Sequence, residues 1–301
     1  MIILNRIQLG NNQELQKIEN DILIVKSKPL GGELTSIFNK KTNLEYLWQA
    51  GNAWPKHAPV LFPIVGQLKD NIYFHNGKKY KLDRHGFART KNFELSKEQN
   101  HSVEYNIAYN DETMACFPFQ FDLKIGYELS GASLKIVYTV SNVGNDEMFF
   151  SIGGHPAFRV PLKQNESYDD YYLEFNSAEN SGRWLLDNGL LNNKVLTCLQ
   201  NTNILPLNKL LFYEDALVFK NLKSDFISLK SKKHEHGLNF KFKNFPFFGI
   251  WAAKDADFIC LEPWHGVTDN IASDQQLKNK EGIISLQPGT RFYCEYAVDT
   301  F

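Results

Sequence analysis

The sequence predicts an all-β fold, a single large antiparallel β-sandwich. Three observations carry that prediction. Aromatic and β-branched residues are plentiful, with 23 Phe and 13 Tyr in 301 residues, and they recur in short alternating runs at the spacing of sandwiches and barrels. Two stretches read as hairpins. Helical periodicity is scarce, and no internal repeat, low-complexity tract or interdomain linker interrupts the pattern. Length alone would suggest about two domains, but all-β sandwiches run past about 200 residues as one, so residues 1–301 read as one domain.

In chain order, Asp21–Val25 is the first alternating run, and Gly31-Gly32 turns the chain into a second, Glu33–Ile37. Leu44–Trp48 reads as a short helical turn. Asn76-Gly77, between Ile72–Phe74 and Tyr80–Leu82, is a hairpin signal because Asn-Gly tolerates the positive φ values of a type I′ turn. Phe121–Leu129 and Leu134–Val140 flank Ser130-Gly131-Ala132 as a second hairpin. The polar stretch from about Glu166 to Leu205 reads as loop. Ala216–Lys220, Phe226–Leu229, Gly237–Phe242, Phe248–Trp251 and Arg291–Val298 complete the strands. Phe258–Leu261 reads as a buried strand that delivers Glu262 to its end, with Pro263 stopping the ladder.

Hydrophobic residues make up 43% of the chain, and the formal net charge is −1 from 33 basic and 34 acidic residues. That balance argues against a nucleic-acid or membrane-surface partner. No C-x-x-C pair links Cys116, Cys198, Cys260 and Cys294, and Cys116 and Cys260 read as small core residues. Met1–Arg6 lacks the charged leader and apolar run of a signal peptide. These features predict a soluble cytoplasmic protein with reduced thiols. The oligomeric state is left open, a homodimer included.

Glu262 beside Trp264 suits the presentation of a base to a sugar ring, although a strand-end Glu can equally face water. His155 sits between Gly153-Gly154, which permit close backbone approach, and Pro156, which fixes the chain after it. It reads as positioned, against the plainer reading of a His satisfied by backbone at a strand bend. His85, between Arg84 and Arg89 and beside Phe87, suits hydrogen bonding to hydroxyls against an apolar face, or else a solvated basic turn. Asp215 starts an apolar strand, where Asp is commonly a turn residue. His234 and His236 read as a solvated hairpin tip, and His265 as a second residue of the Glu262 corner. No phosphate-binding Gly-rich loop or G-x-S-x-G elbow is present.

Four stretches in order, Ala58–Gly66, His85–Arg89, Ser151–Phe158 and Cys260–Trp264, resemble the aldose 1-epimerase (galactose mutarotase-like) superfamily, and within it the LacX-like branch. The resemblance spans nearly the whole chain. It implies a β-sandwich with an open cleft, His155 as general acid, Glu262 as general base, His85 and Asp215 as hydroxyl-holding residues, and Arg89 as a polar contact. Trp264 and Phe87 are expected to stack on the sugar's C–H face. Gln67 and Asn71 stand where galactose-type mutarotases carry arginines, which leaves the sugar open. Arg89 matches a phosphate-gripping arginine of the hexose-6-phosphate branch, but that branch's arginine- and glycine-rich segment is missing. The implied ligand is an aldohexose, free or phosphorylated, turned over with no metal or organic cofactor. A carbohydrate-binding module is the alternative from another class.

Overall fold

Strands dominate because these alternating runs bury one face and wet the other. The computed structural model describes residues 15–301; Met1–Arg6, read above for a leader, lies outside them. The hairpin of Phe121–Ser130 and Ser133–Asn142 shows the rule most plainly. Burial alternates along both strands, and pairing is unbroken from Phe121↔Asn142 to Ser130↔Ser133. The Asn76-Gly77 hairpin forms as read, Ile72–His75 pairing with Lys78–Lys81. Its turn residues have φ of 51° and 75°, as a type I′ turn requires.

These elements build a 15-stranded sheet running from Val60–Leu61 at one edge to Glu94–Gln99 at the other. A four-stranded sheet of Gln16–Glu19, Leu23–Lys28, Glu33–Asn39 and Leu44–Glu45 accompanies it. All named strand pairs in both are antiparallel. One apolar core joins the two sheets, reaching from Ile18, Val25 and Ile37 to Phe121, Tyr138 and Val298. Burying each such side chain stabilises the fold by roughly 1.5–3 kcal/mol. The architecture is an antiparallel β-sandwich. The edge strand Glu94–Gln99 is exposed along its whole length.

Several local expectations are corrected. Leu44–Glu45 is a short strand, not a helical turn. The Glu45 carboxylate accepts the N–H groups of Ile37 and Leu47, at 2.8 and 2.9 Å, and holds the segment extended. The α-helix among the described residues is Asp111–Cys116, closed by a capping box between Asn110 and Thr113. The stretch read as loop from Glu166 is mostly a long hairpin, Tyr171–Asp187 paired with Leu190–Pro206 through four register shifts. Its outer part is wetted on both faces, so no alternation marks it. Its turn, Asn188-Gly189 with φ of 50° and 81°, is the same signal recognised at Asn76-Gly77.

His234 is not solvated. Its side chain is 9% exposed and its Nε2 lies 3.1 Å from the Tyr171 hydroxyl and 3.2 Å from Glu166. Of the four free cysteines, Cys260 and Cys294 are buried, while Cys116 and Cys198 are half-buried. No described helix is long and apolar enough to cross a membrane.

Candidate active site

The strand Phe258–His265 lies between Phe247–Trp251 on one side and two short strands, Ile152–Gly154 and Ala157–Arg159, on the other. It does not stop at Pro263 but continues to His265. The Leu261 N–H donates to the Pro156 carbonyl at 3.2 Å. Two residues on, the Pro263 nitrogen faces the same side, opposite the break between the two short strands. No donor is needed there. The same break carries His155 out of the sheet and toward Glu262.

His155 Nε2 lies 3.3 Å from Glu262 Oε2, and the side chains are buried, 8% and 2% exposed as residues. The contact is not aligned as a hydrogen bond. His155 Nδ1 and Glu262 Oε2 have no hydrogen-bond partner among the described residues. Buried polar atoms are rarely left so, and here they border a cleft of about 210 Å³. Burial pushes the Glu262 carboxyl well above the usual carboxylate range, with the Asp215 carboxylate adding to it. Burial drives His155 down to about 3, with the charges of Arg89 and Arg84 acting in the same direction. Burial thus favours the neutral form of both groups.

His85 stands beside His155, ring centroids 5.6 Å apart. Burial, first, and then the positive neighbours hold its pKa well below the ordinary value. Its Nδ1 accepts the Gly66 N–H at 3.1 Å, so the neutral ring carries its proton on Nε2, as a donor. Asp215 also lines the cleft. One of its oxygens accepts the Ala216 N–H at 2.7 Å, and the other has no partner among the described residues. Arg89 lines the cleft with a buried Nε that has no partner among the described residues, and its Nη2 donates to the Arg84 carbonyl at 2.7 Å. Arg84 Nη2 in turn donates to Gln67 Oε1 at 2.9 Å, so Gln67 tethers an arginine at the cleft.

Trp264 lines the cleft and rests on two glycines. A Cβ at Gly153 would come 2.6 Å from its Cδ1, and one at Gly249 would overlap the indole ring. Two further aromatics were not read from the sequence. Trp54 stacks on the His155 ring at 5.0 Å and 27°, and Trp251 meets it edge-on at 5.7 Å. Phe87 does not face the cleft. It is 8% exposed and packs against Phe62, Phe117 and Phe121 in the core. The chain turns at His85, whose φ is 67°, and sends His85 and Phe87 different ways. His265 also faces away. It packs on Phe245 and Phe292, and burial lowers its pKa to about 4.

The long hairpin supplies the remaining wall through Leu186 and Gly189. The Thr268 hydroxyl donates to the Gly189 carbonyl at 2.6 Å and accepts the Gln67 N–H at 3.0 Å. One side chain thus ties the hairpin tip to the segment bearing His85's partner Gly66. Asp269 continues this join, accepting the Lys69 N–H at 3.0 Å and pairing with buried Lys280 at 2.8 Å.

Comparison with known proteins agrees with this architecture. The aldose 1-epimerase family matches residues 14–283. Two LacX proteins of Lactococcus lactis subsp. lactis, chromosomal and plasmid, are each 36% identical over 283 residues, covering 90% of this chain and 94% of theirs. The structure of a galactose mutarotase related enzyme from Lactobacillus acidophilus superposes with a TM-score of 0.92 at 32% identity, covering 95% of this chain and 97% of that one. A galactose mutarotase-like protein from Lactobacillus casei gives 0.89 at 30% identity, covering 95% and 100%. On the sequence match, the sandwich fold and these relatives together, the chain belongs to the aldose 1-epimerase family.

Proposed function

We propose that this chain interconverts the α and β anomers of a free aldohexose, with His155 and Glu262 as its proton-transfer pair. The observation that carries the reading is the buried 3.3 Å approach of His155 Nε2 to Glu262 Oε2 inside the cleft. The two sugar oxygens that must exchange protons, the anomeric hydroxyl and the ring oxygen, are bonded to the same carbon. A pair this close reaches both.

In the reactive arrangement Glu262, as carboxylate, takes the proton of the anomeric hydroxyl. His155, as imidazolium, gives one to the ring oxygen while the C1–O5 bond breaks. The aldehyde rotates about C1–C2, and the reverse transfers reclose the ring on the other face. Burial favours the neutral form of each group, so moving a proton from Glu262 to His155 readies the pair. Positioned acid–base catalysis contributes typically about 10²–10⁴-fold. His85 Nε2–H and the free Asp215 oxygen are placed to hold ring hydroxyls, and Trp264 offers an apolar face to the sugar's C–H side.

The acid limb of the pH profile is expected from a second proton on the pair, which the low proton affinity of His155 pushes to low pH. The basic limb follows loss of the shared proton, which Glu262 holds well above the carboxylate range. This reverses the simpler assignment of the acid limb to Glu262, because burial inverts the order of the two affinities.

One observation favours a second reading. Arg84 and Arg89 both line the cleft, and Arg89 Nε is buried without a partner among the described residues, which suits a 6-phosphate. NMR anomer exchange across free aldoses and their 6-phosphates tests both. Exchange of a free aldose, lost in Glu262→Gln, supports the first. Exchange of 6-phosphates alone, weakened by Arg89→Ala, supports the second. Binding with no exchange of any sugar makes the chain a carbohydrate-binding protein.

A further inference from the structure

Beside the proton-transfer pair lies a third group that the proposed reaction does not use. Cys260 precedes Glu262 by two strand residues and so shares its face of the sheet, with the side chain fully buried. A ring nitrogen of His155, the Cys260 sulfur and an oxygen of Glu262 lie within 4.8 Å of one another, the one such trio among the described residues. His155 Nδ1 and Glu262 Oε2 have no hydrogen-bond partner there. The cleft opens on His155 and Glu262.

Thiolate, imidazole and carboxylate are the zinc ligands of proteins. Bonds of roughly 2.0–2.3 Å at a tetrahedral angle put neighbouring ligand atoms about 3.5 Å apart. The His155–Glu262 edge is already 3.3 Å, and the trio spans at most 4.8 Å, so closure asks the sulfur to approach by no more than roughly 1.3 Å, within the reach of small side-chain rotations. Three protein ligands with a fourth position toward the cleft is the arrangement of an open zinc site. The sulfur discriminates against magnesium and calcium, which take oxygen ligands.

We propose that His155, Cys260 and Glu262 form a site for zinc-class divalent ions, and that an ion seated there blocks the sugar by engaging both proton-transfer groups. Binding forms bonds from the metal to one imidazole nitrogen, the sulfur and a carboxylate oxygen. Cys260 binds as thiolate and Glu262 as carboxylate, any proton either carries leaving to solvent, with no change of oxidation state. His155 binds through an unprotonated ring nitrogen. The metal is an inhibitor, not a cofactor. Its inhibitory effect rests on the acid–base reading above, whereas its binding does not.

Cobalt(II) is the probe, added to the whole chain and to Cys260→Ser and Cys260→Ala. One equivalent should produce a thiolate-to-cobalt charge-transfer band in the wild type, displaced by zinc and absent from both variants. Anomer exchange should persist in both, while the zinc concentration that inhibits it rises by at least about 10–100-fold, the range seen when only a residue behind a metal ligand is changed. A band that survives in Cys260→Ser, or zinc inhibition equal to that of the wild type, overturns the proposal. Should both variants fail to fold, Glu262→Gln decides: weaker cobalt binding supports the site and unchanged binding overturns it. The spectrum needs no turnover. A Cys260-dependent band in a chain inactive on every sugar would therefore sink the catalytic reading alone.

Discussion

Replacing Glu262 by Gln keeps the shape and the hydrogen-bonding capacity but removes the proton acceptor. We expect anomer exchange to fall by about 10²–10⁴-fold while sugar binding, followed by titration, survives. The same substitution has a stability signature. The folded chain holds the Glu262 proton well above the ordinary carboxyl value of 4.5, whereas the unfolded chain releases it there, so this group makes stability fall as pH rises above 4.5. Glu262→Gln removes that loss. Its Tm should exceed the wild type's at neutral pH, with the gap narrowing toward pH 4.5. His155 acts in the opposite sense: its proton affinity is lowered from 6.5 to about 3, so its contribution is lost as pH falls through that window. A Glu262→Gln Tm below the wild type's at neutral pH would contradict the buried, protonated carboxyl. That His155 and Glu262 meet at the cleft was legible because glycines and a proline pin the one, and an apolar strand delivers the other. Phe87 was misread because adjacency to His85 says nothing about direction once the backbone turns at a positive φ. Trp54 and Trp251 were missed because they reach the cleft from a loop and from a neighbouring strand, a juxtaposition that only the sheet order creates.

Among the elements, the strand pair Phe247–Trp251 and Phe258–His265 sets the floor of the cleft. Gly249 faces Glu262 in register and leaves the space that the Trp264 ring fills. Gly249→Ala should push the indole aside, costing about 1–3 kcal/mol by overpacking and weakening sugar binding more than the chemical step. Chemical denaturation, together with KM and kcat measured separately, checks this. A variant that is destabilised with KM unchanged would take Trp264 out of sugar recognition. Most strands were legible from alternation. The hairpin Tyr171–Asp187 with Leu190–Pro206 was not, because two wetted faces carry no period. Yet its Asn188-Gly189 tip reaches the cleft, and that dipeptide was the one local signal of it.

The whole molecule makes the site from segments that lie far apart in sequence, around Trp54, His85, His155, Gly189, Asp215 and Glu262. Motifs pointed to His85, His155 and Glu262 among these, but Trp54 and Gly189 carry no such motif, and the convergence of all of them depends on long-range pairing. The Asp269–Lys280 pair secures that convergence from beneath, with side chains 3% and 2% exposed. Lys280→Met strands a buried carboxylate and should cost about 3–5 kcal/mol. Adding Asp269→Asn keeps an acceptor for the Lys69 N–H and removes the charge, so it should recover part of the loss in urea denaturation. No recovery would place the role of Lys280 in its packing and its 2.6 Å bond to the Val267 carbonyl.

The exposed rim strand Glu94–Gln99 has a consequence for the protein in a crowd of its own copies. A sheet of this size ends in backbone groups that a foreign strand can extend, the first step toward fibres. Here Glu94, Lys97 and Glu98 line that rim, and a register shift between Leu95 and Lys97 interrupts its ladder. Replacing Lys97 and Glu98 with Val should leave the Tm nearly unchanged but turn concentrated refolding mixtures turbid, as light scattering would record. A clear solution would mean that the irregular ladder alone is enough to keep neighbouring chains apart.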